Sequence, residues 1–350
     1  MIERRESKKV KVGNIFIGGN SPVTVQSMLN AKAHDVENNV RQAIALEKAG
    51  CEIIRVAVPD LEAVKTVAAL KENVFVPIVA DIHFNYKIAL ECVEAGVDKV
   101  RINPGNIGDD ANVKAVAEKC RSNGVPIRIG VNSGSVEKHI LAKYGAPSAQ
   151  AMAESAMYHV RLLEKFDFDD IVISIKSSNV QTMIEAYKKV AAMCAYPLHL
   201  GVTEAGTKRM GMLKSAVGIG SLLTDGIGDT IRVSLTADPT QEVYAGLDIL
   251  KAAGLRNDTP TLISCPTCGR TKIDLISLAE EVEQRLREVK KPITVAVMGC
   301  VVNGPGEARE ADVGIAGGDG CGLVFRHGEI LRKVREEELV SELMKEIDNL

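Results

Sequence analysis

Along the first 250 residues, hydrophobic positions switch repeatedly between two spacings. Short β-branched runs read as strands: VTVQSM (23–28), IIRVAV (53–58), PIVADI (77–82) and KVRINP (99–104). PIRIGVN (126–132), DIVISIK (170–176), PLHLGVTE (197–204) and TIRVSL (230–235) bring the series to eight. Between them, segments such as DVENNVRQAIALEKAG, FNYKIALECVEAG, ANVKAVAEKCRSNG and VQTMIEAYKKVAAMCA place apolar residues at helical spacing. Asp35 is positioned to cap the first of these helices and Gly50 to stop it. Gly96, Gly124 and Gly226 stand just before strands, where a left-handed residue releases the chain from a helix. Strand starts lie 22 to 44 residues apart, room in each case for a crossover helix. The pattern predicts an α/β fold, a (β/α)8 TIM-type barrel. Periodicity alone leaves a doubly wound open sheet as an alternative. No phosphate-loop or dinucleotide glycine fingerprint opens the first unit to favour it.

The rhythm changes after GLRNDTP (254–260), which reads as a linker. CPTCGR, a helical DLISLAEEVEQRLREV, a strand-like ITVAVMGC and the glycine-rich NGPGEAREADVGIAGGDG follow. CGLVFRHGEI then reads as a strand or hairpin and EEELVSELMKEI as a last helix. Two domains are expected: a barrel over residues 1–255 and a smaller α+β domain over 256–350. The opening VKVGNIFIGG has the form of a short hairpin suited to closing the bottom of the barrel.

Strands of a parallel barrel are covered on both faces and should be almost uniformly apolar. These eight depart from that rule at their ends. Arg55 interrupts the second, and Asp81 and His83 close the third. Arg101 and Asn103 lie in the fourth, Arg128 and Asn132 in the fifth, and Ser174 and Lys176 in the sixth. Thr203 and Glu204 end the seventh, while Arg232 and Ser234 lie in the eighth. Several pairs are two apart and face the same way. Facing inward, they would meet at the C-terminal mouth, where barrel enzymes hold their sites. Five cations with only Asp81 and Glu204 as local counterions call for an anionic ligand, and arginine grips phosphate oxygens in a bidentate fork. The plainer reading pairs these arginines with helix carboxylates outside the barrel. Glu204 is the acid/base candidate, with a simple ion-pair role as its alternative. His83 alone carries little weight beside its neighbour Asp81.

Composition refines this picture without overturning it. A net charge of −3 gives no basic field for nucleic acid, and aromatics at 3% with no Trp leave little for base stacking. No apolar stretch reaches membrane-spanning length and the N-terminus has no signal core, so a cytoplasmic protein is expected. In that compartment the eight cysteines are not read as disulfides. Cys51, Cys92, Cys120 and Cys194 sit among helix-like apolar residues and are read as buried thiols. Cys265 and Cys268 form a CxxC knuckle, whose two sulfurs can share one metal, and Cys300 follows at a strand end. Zinc and an iron–sulfur cluster both suit this spacing, with Cys321 as one possible fourth ligand.

The motifs SCPTCGRT, VAVMGCVVNGPGEAREADVGIAGG, ADIHF, KVRINPGNIG, IRIGVNSGS, ISIKSSN and GVTEAG resemble the 4-hydroxy-3-methylbut-2-enyl diphosphate synthases of the non-mevalonate isoprenoid pathway. The resemblance runs along essentially the whole chain, in the compact two-domain bacterial form. It implies a [4Fe–4S] cluster held by Cys265, Cys268, Cys300 and, rather than Cys321, Glu307. It implies that 2-C-methyl-erythritol 2,4-cyclodiphosphate enters the barrel mouth and is held there by Arg55, Arg101, Arg128, Lys176 and Arg232. Asn132 and Ser234 would assist, with Asp81 and His83 in the same binding set. Two electrons from reduced flavodoxin or ferredoxin would open the ring and remove a hydroxyl as water. Glu204 would supply a proton, with Asn303 close to the reacting oxygen. The family also implies a head-to-tail homodimer. A zinc-stabilised barrel performing non-redox phosphate or pterin transfer is the alternative, and a non-catalytic binding scaffold a third reading.

Overall fold

A computed structural model describes residues 2–300 and 308–350, and the chain divides into two compact units, Met1–Leu255 and Arg256–Leu350. In the first unit a hairpin, β1 (Val10–Val12) and β2 (Ile15–Ile17), precedes eight parallel strands. These are β3 (Thr24–Met28), β4 (Ile53–Ala57), β5 (Ile78–Asp81), β6 (Lys99–Ile102), β7 (Ile127–Asn132), β8 (Ile171–Lys176), β9 (His199–Leu200) and β10 (Thr230–Ile231). Hydrogen bonding links β8 through β3 in descending order and then passes to β10 and β9. A parallel bridge between Ile173 of β8 and Leu198, just before β9, closes the ring. Closure excludes the open doubly wound sheet.

All eight strand segments read from the sequence carry strands, although β9 and β10 pair over only two residues each. Backbone bonding continues past those limits: Arg232 N–H donates to the Leu200 carbonyl at 2.9 Å and Thr203 N–H to Ser177 at 3.4 Å. Asp35 caps the first helix, Val36–Lys48, by accepting from Asn38 N–H. Gly96, Gly124 and Gly226 all have positive φ (83°, 64° and 74°), which lets the chain leave each helix without Cβ strain. The long connection between β7 and β8 holds two helices, Lys138–Tyr144 and Ala149–Glu164, where a standard crossover needs one.

The opening hairpin packs its inner face against the barrel floor. Val10, Val12 and Ile17 form one buried cluster with Ile53, Val79 and Val172. These last three stand two residues before Arg55, Asp81 and Ser174, so apolar side chains fill the bottom and polar ones face upward on the same strand faces.

The second unit is a five-stranded sheet: β11 (Thr261–Ser264), β12 (Thr294–Met298), β13 (Val313–Gly317), β14 (Cys321–Arg326) and β15 (Glu329–Arg335). β11, β12 and β13 are parallel, and β14 and β15 are antiparallel additions. The His327–Gly328 turn joining the last two has positive φ at both residues, as tight hairpins of right-handed twist demand. One sheet face packs on the helices Leu275–Leu286 and Leu339–Asp348 through Val282, Val295, Ile315 and Leu343. On the other, Phe325 lies over Gly314 among Ala296, Ala311 and Ala316.

Ile17 is fully buried at the barrel floor. Ile17→Ala should cost about 2–5 kcal/mol in denaturant unfolding; a loss too small to measure would mean that the hairpin does not seal the barrel.

Candidate functional site

Register puts the polar residues of the strands in tiers on the inside of the barrel. Lys99 and Arg101 face inward from β6, Arg128 and Asn132 from β7, and Ser174 and Lys176 from β8, because alternate strand residues share a face. At the upper tier, Asp81 is the organising group. Arg55 Nη2 donates to its Oδ2 at 2.5 Å and Arg101 Nη1 to its Oδ1 at 3.1 Å. His83 Nε2 stands 3.7 Å from the same carboxylate, with half of its side chain exposed. Burial alone would push the Asp81 carboxyl up, but the charges of Arg55 and Arg101 hold it well below the usual carboxylate range.

Arg101 depends on a glycine. A Cβ at Gly130 would collide with Nε, Nη2 and Cζ of its guanidinium, so only glycine lets the fork lie flat against β7. Arg232 is anchored by Glu242 on the helix Pro239–Ala252, Nη2 to Oε2 at 3.5 Å. Glu242 also accepts from Ser27 Oγ at 3.0 Å and from Leu235 N–H at 2.9 Å. Here the plainer reading holds in part: one mouth arginine does have a helix carboxylate as its partner, a buried one. Glu242 and Ser27 carry no motif signal, and only the fold brings them to Arg232.

Beneath this tier lies a second that the strand-end pattern did not separate. Arg128 is 1% exposed and donates from Nη1 to Gln26 Oε1 at 3.0 Å. Lys99 and His199 are fully buried beside it. Lys99 Nζ, Arg128 Nε, Gln26 Nε2 and His199 Nε2 have no hydrogen-bond partner among the described residues. Burial and then the charge of Arg128 drive Lys99 well below the ordinary lysine range. Lys176 moves the same way through burial and the nearby Arg232 and Arg55. Arg55, Arg101, Arg128, Lys176 and Arg232 are thus brought together, but Arg128 sits deeper than the others.

Asn132 and Ser234 are half-buried at the ends of their strand segments. Glu204 is exposed and has φ of 51°, a left-handed backbone that a residue with a Cβ adopts at a cost. That geometry is restricted to few residues and marks the Thr203–Glu204 turn as a shaped one.

In the second unit, Cys265 follows β11 directly and Cys300 follows Gly299, the first residue after β12. The two strands are parallel neighbours, so both cysteines emerge at the same sheet edge. Gly299 N–H donates to Cys265 Sγ at 3.2 Å. Cys268 is exposed, and the backbone N–H and side chain of Arg270 hold its thiol below the ordinary value. These features suit thiolate ligands: amide donors and a guanidinium stabilise charge on sulfur. Asn303 and Glu307 lie outside the described residues. Among the described residues no three His, Cys, Asp or Glu side chains converge on a single-ion site. Cys51, Cys92 and Cys120 are buried thiols, each pushed up to about 12 by burial, and Cys194 is half-buried and raised for the same reason. No helix among the described residues is long and apolar enough to cross a membrane.

A closed ring of eight parallel strands with cations arranged around one carboxylate at its mouth makes the first unit a (β/α)8 barrel. The family is narrower than that class. Residues 7–247 match the GcpE TIM-barrel domain and residues 261–349 the GcpE protein C-terminal domain, and the chain belongs to this family. It is 57% identical over 350 residues to the 4-hydroxy-3-methylbut-2-en-1-yl diphosphate synthase (flavodoxin) of Geobacillus thermodenitrificans, covering 100% of this chain and 94% of that one. The protein of the same name from Clostridium perfringens is 57% identical over 349 residues, with 100% of each chain covered. Among solved structures, the dihydropteroate synthase from Xanthomonas albilineans in complex with 7,8-dihydropteroate aligns with a TM-score of 0.52 at 17% identity. It covers 70% of this chain and 97% of that one, and it shares the barrel fold alone.

Two outcomes follow from the buried charges. The folded Asp81 carboxyl lies below its unfolded value, so its stabilisation is present above the usual carboxylate range and disappears as pH falls through the folded value. Asp81→Asn should therefore cost about 3–5 kcal/mol at pH 7, with the gap to wild type closing in acid; an equal gap at pH 3 would contradict this. Lys99 has linkage of the same sign in a higher pH window, since its folded value is also depressed and stability gains as pH rises toward the ordinary lysine range. In urea titrations from pH 6 to 10, Lys99→Met should flatten that rise and be at least as stable as wild type at pH 7.

Proposed function

We propose that this chain catalyses reductive ring opening and dehydroxylation of 2-C-methyl-D-erythritol 2,4-cyclodiphosphate to 4-hydroxy-3-methylbut-2-enyl diphosphate. Relatives of the same family, 57% identical over the full chain, bear the name of that diphosphate synthase. The observation that carries the reading is the pairing of a cationic barrel mouth with a CxxC knuckle whose sulfurs already receive amide and guanidinium charge. The first suits a cyclic diphosphate and the second a redox group.

Asp81 orders Arg55 and Arg101 so that their remaining donors can address phosphate oxygens in a fixed array, and the diphosphate balances the cation excess. Arg232, fixed by Glu242, and Lys176 close the same ring from the opposite strands. Asn132 and Ser234 add uncharged donors at the rim, with His83 beside Asp81. Arg128 acts from below, adding field through the floor of the mouth without being exposed to solvent. Bound phosphate would raise the proton affinity of Lys176, so substrate and a charged lysine favour one another. Glu204, exposed on its left-handed turn, is assigned the donation of a proton to the departing oxygen, a role its exposure and carboxyl group suit.

A [4Fe–4S] cluster held by Cys265, Cys268, Cys300 and Glu307 would supply the two electrons, received from reduced flavodoxin, or ferredoxin in its place. Asn303 is assigned to the reacting oxygen. A carboxylate is a more readily displaced ligand than a thiolate, which suits Glu307 to the one position where ligand exchange is wanted. The functional unit is a head-to-tail homodimer in the cytoplasm. The likeness to dihydropteroate synthase extends to the fold and lends no support to pterin chemistry.

Anaerobically purified protein should contain iron and acid-labile sulfide in near-equal amounts and convert the cyclic diphosphate when given reduced flavodoxin. Glu307→Ala should keep iron and sulfide but lose turnover. Stoichiometric zinc without sulfide, or turnover undiminished in Glu307→Ala, would overturn the assignment.

A further inference from the structure

The connection between β7 and β8 carries its crossover helix, Ala149–Glu164, behind a short additional helix, Lys138–Tyr144, and the one histidine of the crossover helix is wholly buried. His159 Nε2 lies 2.6 Å from Glu137 Oε1. Glu137 belongs to a different element. It stands two residues beyond the Ser133–Ser135 turn that follows β7, at the N-cap position of the helix Lys138–Tyr144, where its side chain makes no capping bond. Burial would push the Glu137 carboxyl up, yet His159 and Ser155 hold it below its ordinary range.

The pair also touches the adjacent mouth turn. After β6 the chain makes a short turn, Pro104–Asn106, and Gly105 in it rests on the pair. A Cβ on Gly105 would lie 3.0 Å from His159 Cε1 and 3.5 Å from Glu137 Oε1. Gly105 N–H donates to Asn103 Oδ1 at 3.0 Å, so the height of this turn sets where the buried, inward-facing Asn103 side chain lies. The other turn is rigid in itself: Asn132 N–H donates to Ser135 Oγ, which returns a bond to the Asn132 carbonyl. Its tie to the helix layer is Glu137. One contact therefore fastens two neighbouring turns, which follow the strands of Arg101 and Arg128, to a helix behind them.

Stability does not account for such a pair. A polar contact at such a site is commonly matched or bettered by apolar side chains of the same volume, but unlike them it accepts one geometry only. We propose that Glu137 and His159 are a positioning pair that fixes the β6 and β7 turns, and with them Asn103 and Asn132, against the phosphate end of the substrate. This rests on the reading of the mouth as a diphosphate site. Neither residue contacts the reacting atoms. The pair sets binding and leaves the redox unit untouched.

Three variants of the holoenzyme test it. His159→Leu removes the contact, His159→Gln keeps an N–H that can reach Glu137, and Gly105→Ala leaves the pair whole but forces the β6 turn off it. Each is measured by calorimetry with inorganic pyrophosphate, by KM and kcat for the cyclic diphosphate, and by the electron paramagnetic resonance spectrum of the reduced protein. His159→Leu and Gly105→Ala should weaken pyrophosphate binding and raise KM about tenfold, with kcat within about twofold and an unchanged spectrum. His159→Gln should remain within about threefold of wild type in both. Unaltered pyrophosphate affinity in His159→Leu and Gly105→Ala overturns the proposal, as does a fall in kcat at constant KM. Equal damage from the Gln and Leu variants also overturns it. Should the Leu variant fail to fold, the Gly105→Ala and His159→Gln results decide. Wild-type protein that binds pyrophosphate but leaves the cyclic diphosphate unchanged refutes the assigned reaction while the affinities still judge the pair; wild-type protein that does not bind pyrophosphate removes both.

Discussion

Everything at the barrel mouth is arranged around one carboxylate. Asp81 accepts from Arg55 on one oxygen and from Arg101 on the other, inside a barrel that holds Arg128, Lys176, Arg232 and Lys99 as well. Without a central anion, these cations would repel one another across a medium of low dielectric, and burial would drive them neutral. With Asp81 and Glu242 in place the charge is reduced but not cancelled. What remains is an ordered cationic field that a multiply charged anion can complete. The proposed diphosphate site and the electrostatics of the fold are in this sense one problem.

Both units solve placement in the same manner. Parallel strands end together, so residues just beyond them are brought to one edge without special loops. In the barrel this gathers arginines from four strands and lysine from a fifth. In the smaller sheet it brings Cys265 and Cys300 to the ends of neighbouring strands, with the Gly299 amide directed at sulfur. The crossover helix behind β7 adds a different contact, between the buried His159 and the partly buried Glu137. Lys99, whose Nζ has no hydrogen-bond partner among the described residues, shows that stability was not the only demand on the interior.

Much of this was legible along the chain. Eight β-branched runs separated by helical spacing specify a parallel eight-stranded sheet, and polar residues two apart at strand ends mark one of its ends, whereas closure into a barrel came from the Ile173–Leu198 bridge. The cysteine motifs and the strand-end signatures carried the family resemblance before any contact was known. Other features had no local signature. Gln26, Ser27 and Glu242 look like ordinary strand and helix residues, and Gly130 like any glycine in a strand. Their roles arise because distant segments meet: Gln26 reaches Arg128 across the barrel, and Glu242 reaches Arg232 from a helix ten residues on.

The sequence by itself determined the alternation of elements, the set of chemical groups and the faces they share, since all of these follow from periodicities of 2 and 3.6 along one chain. Tertiary structure alone decided depth. Arg128 and Arg101 look equivalent in the pattern and are register partners, yet Arg128 is 1% exposed and bonds Gln26 across the barrel, while Arg101 is 8% exposed and bonds Asp81. It also decided which carboxylates neutralise which cations: Asp81 and Glu242 enter the interior, and Glu204 stays at the surface. Burial turns a charge from a soluble ornament into a constraint, and only packing in three dimensions sets burial.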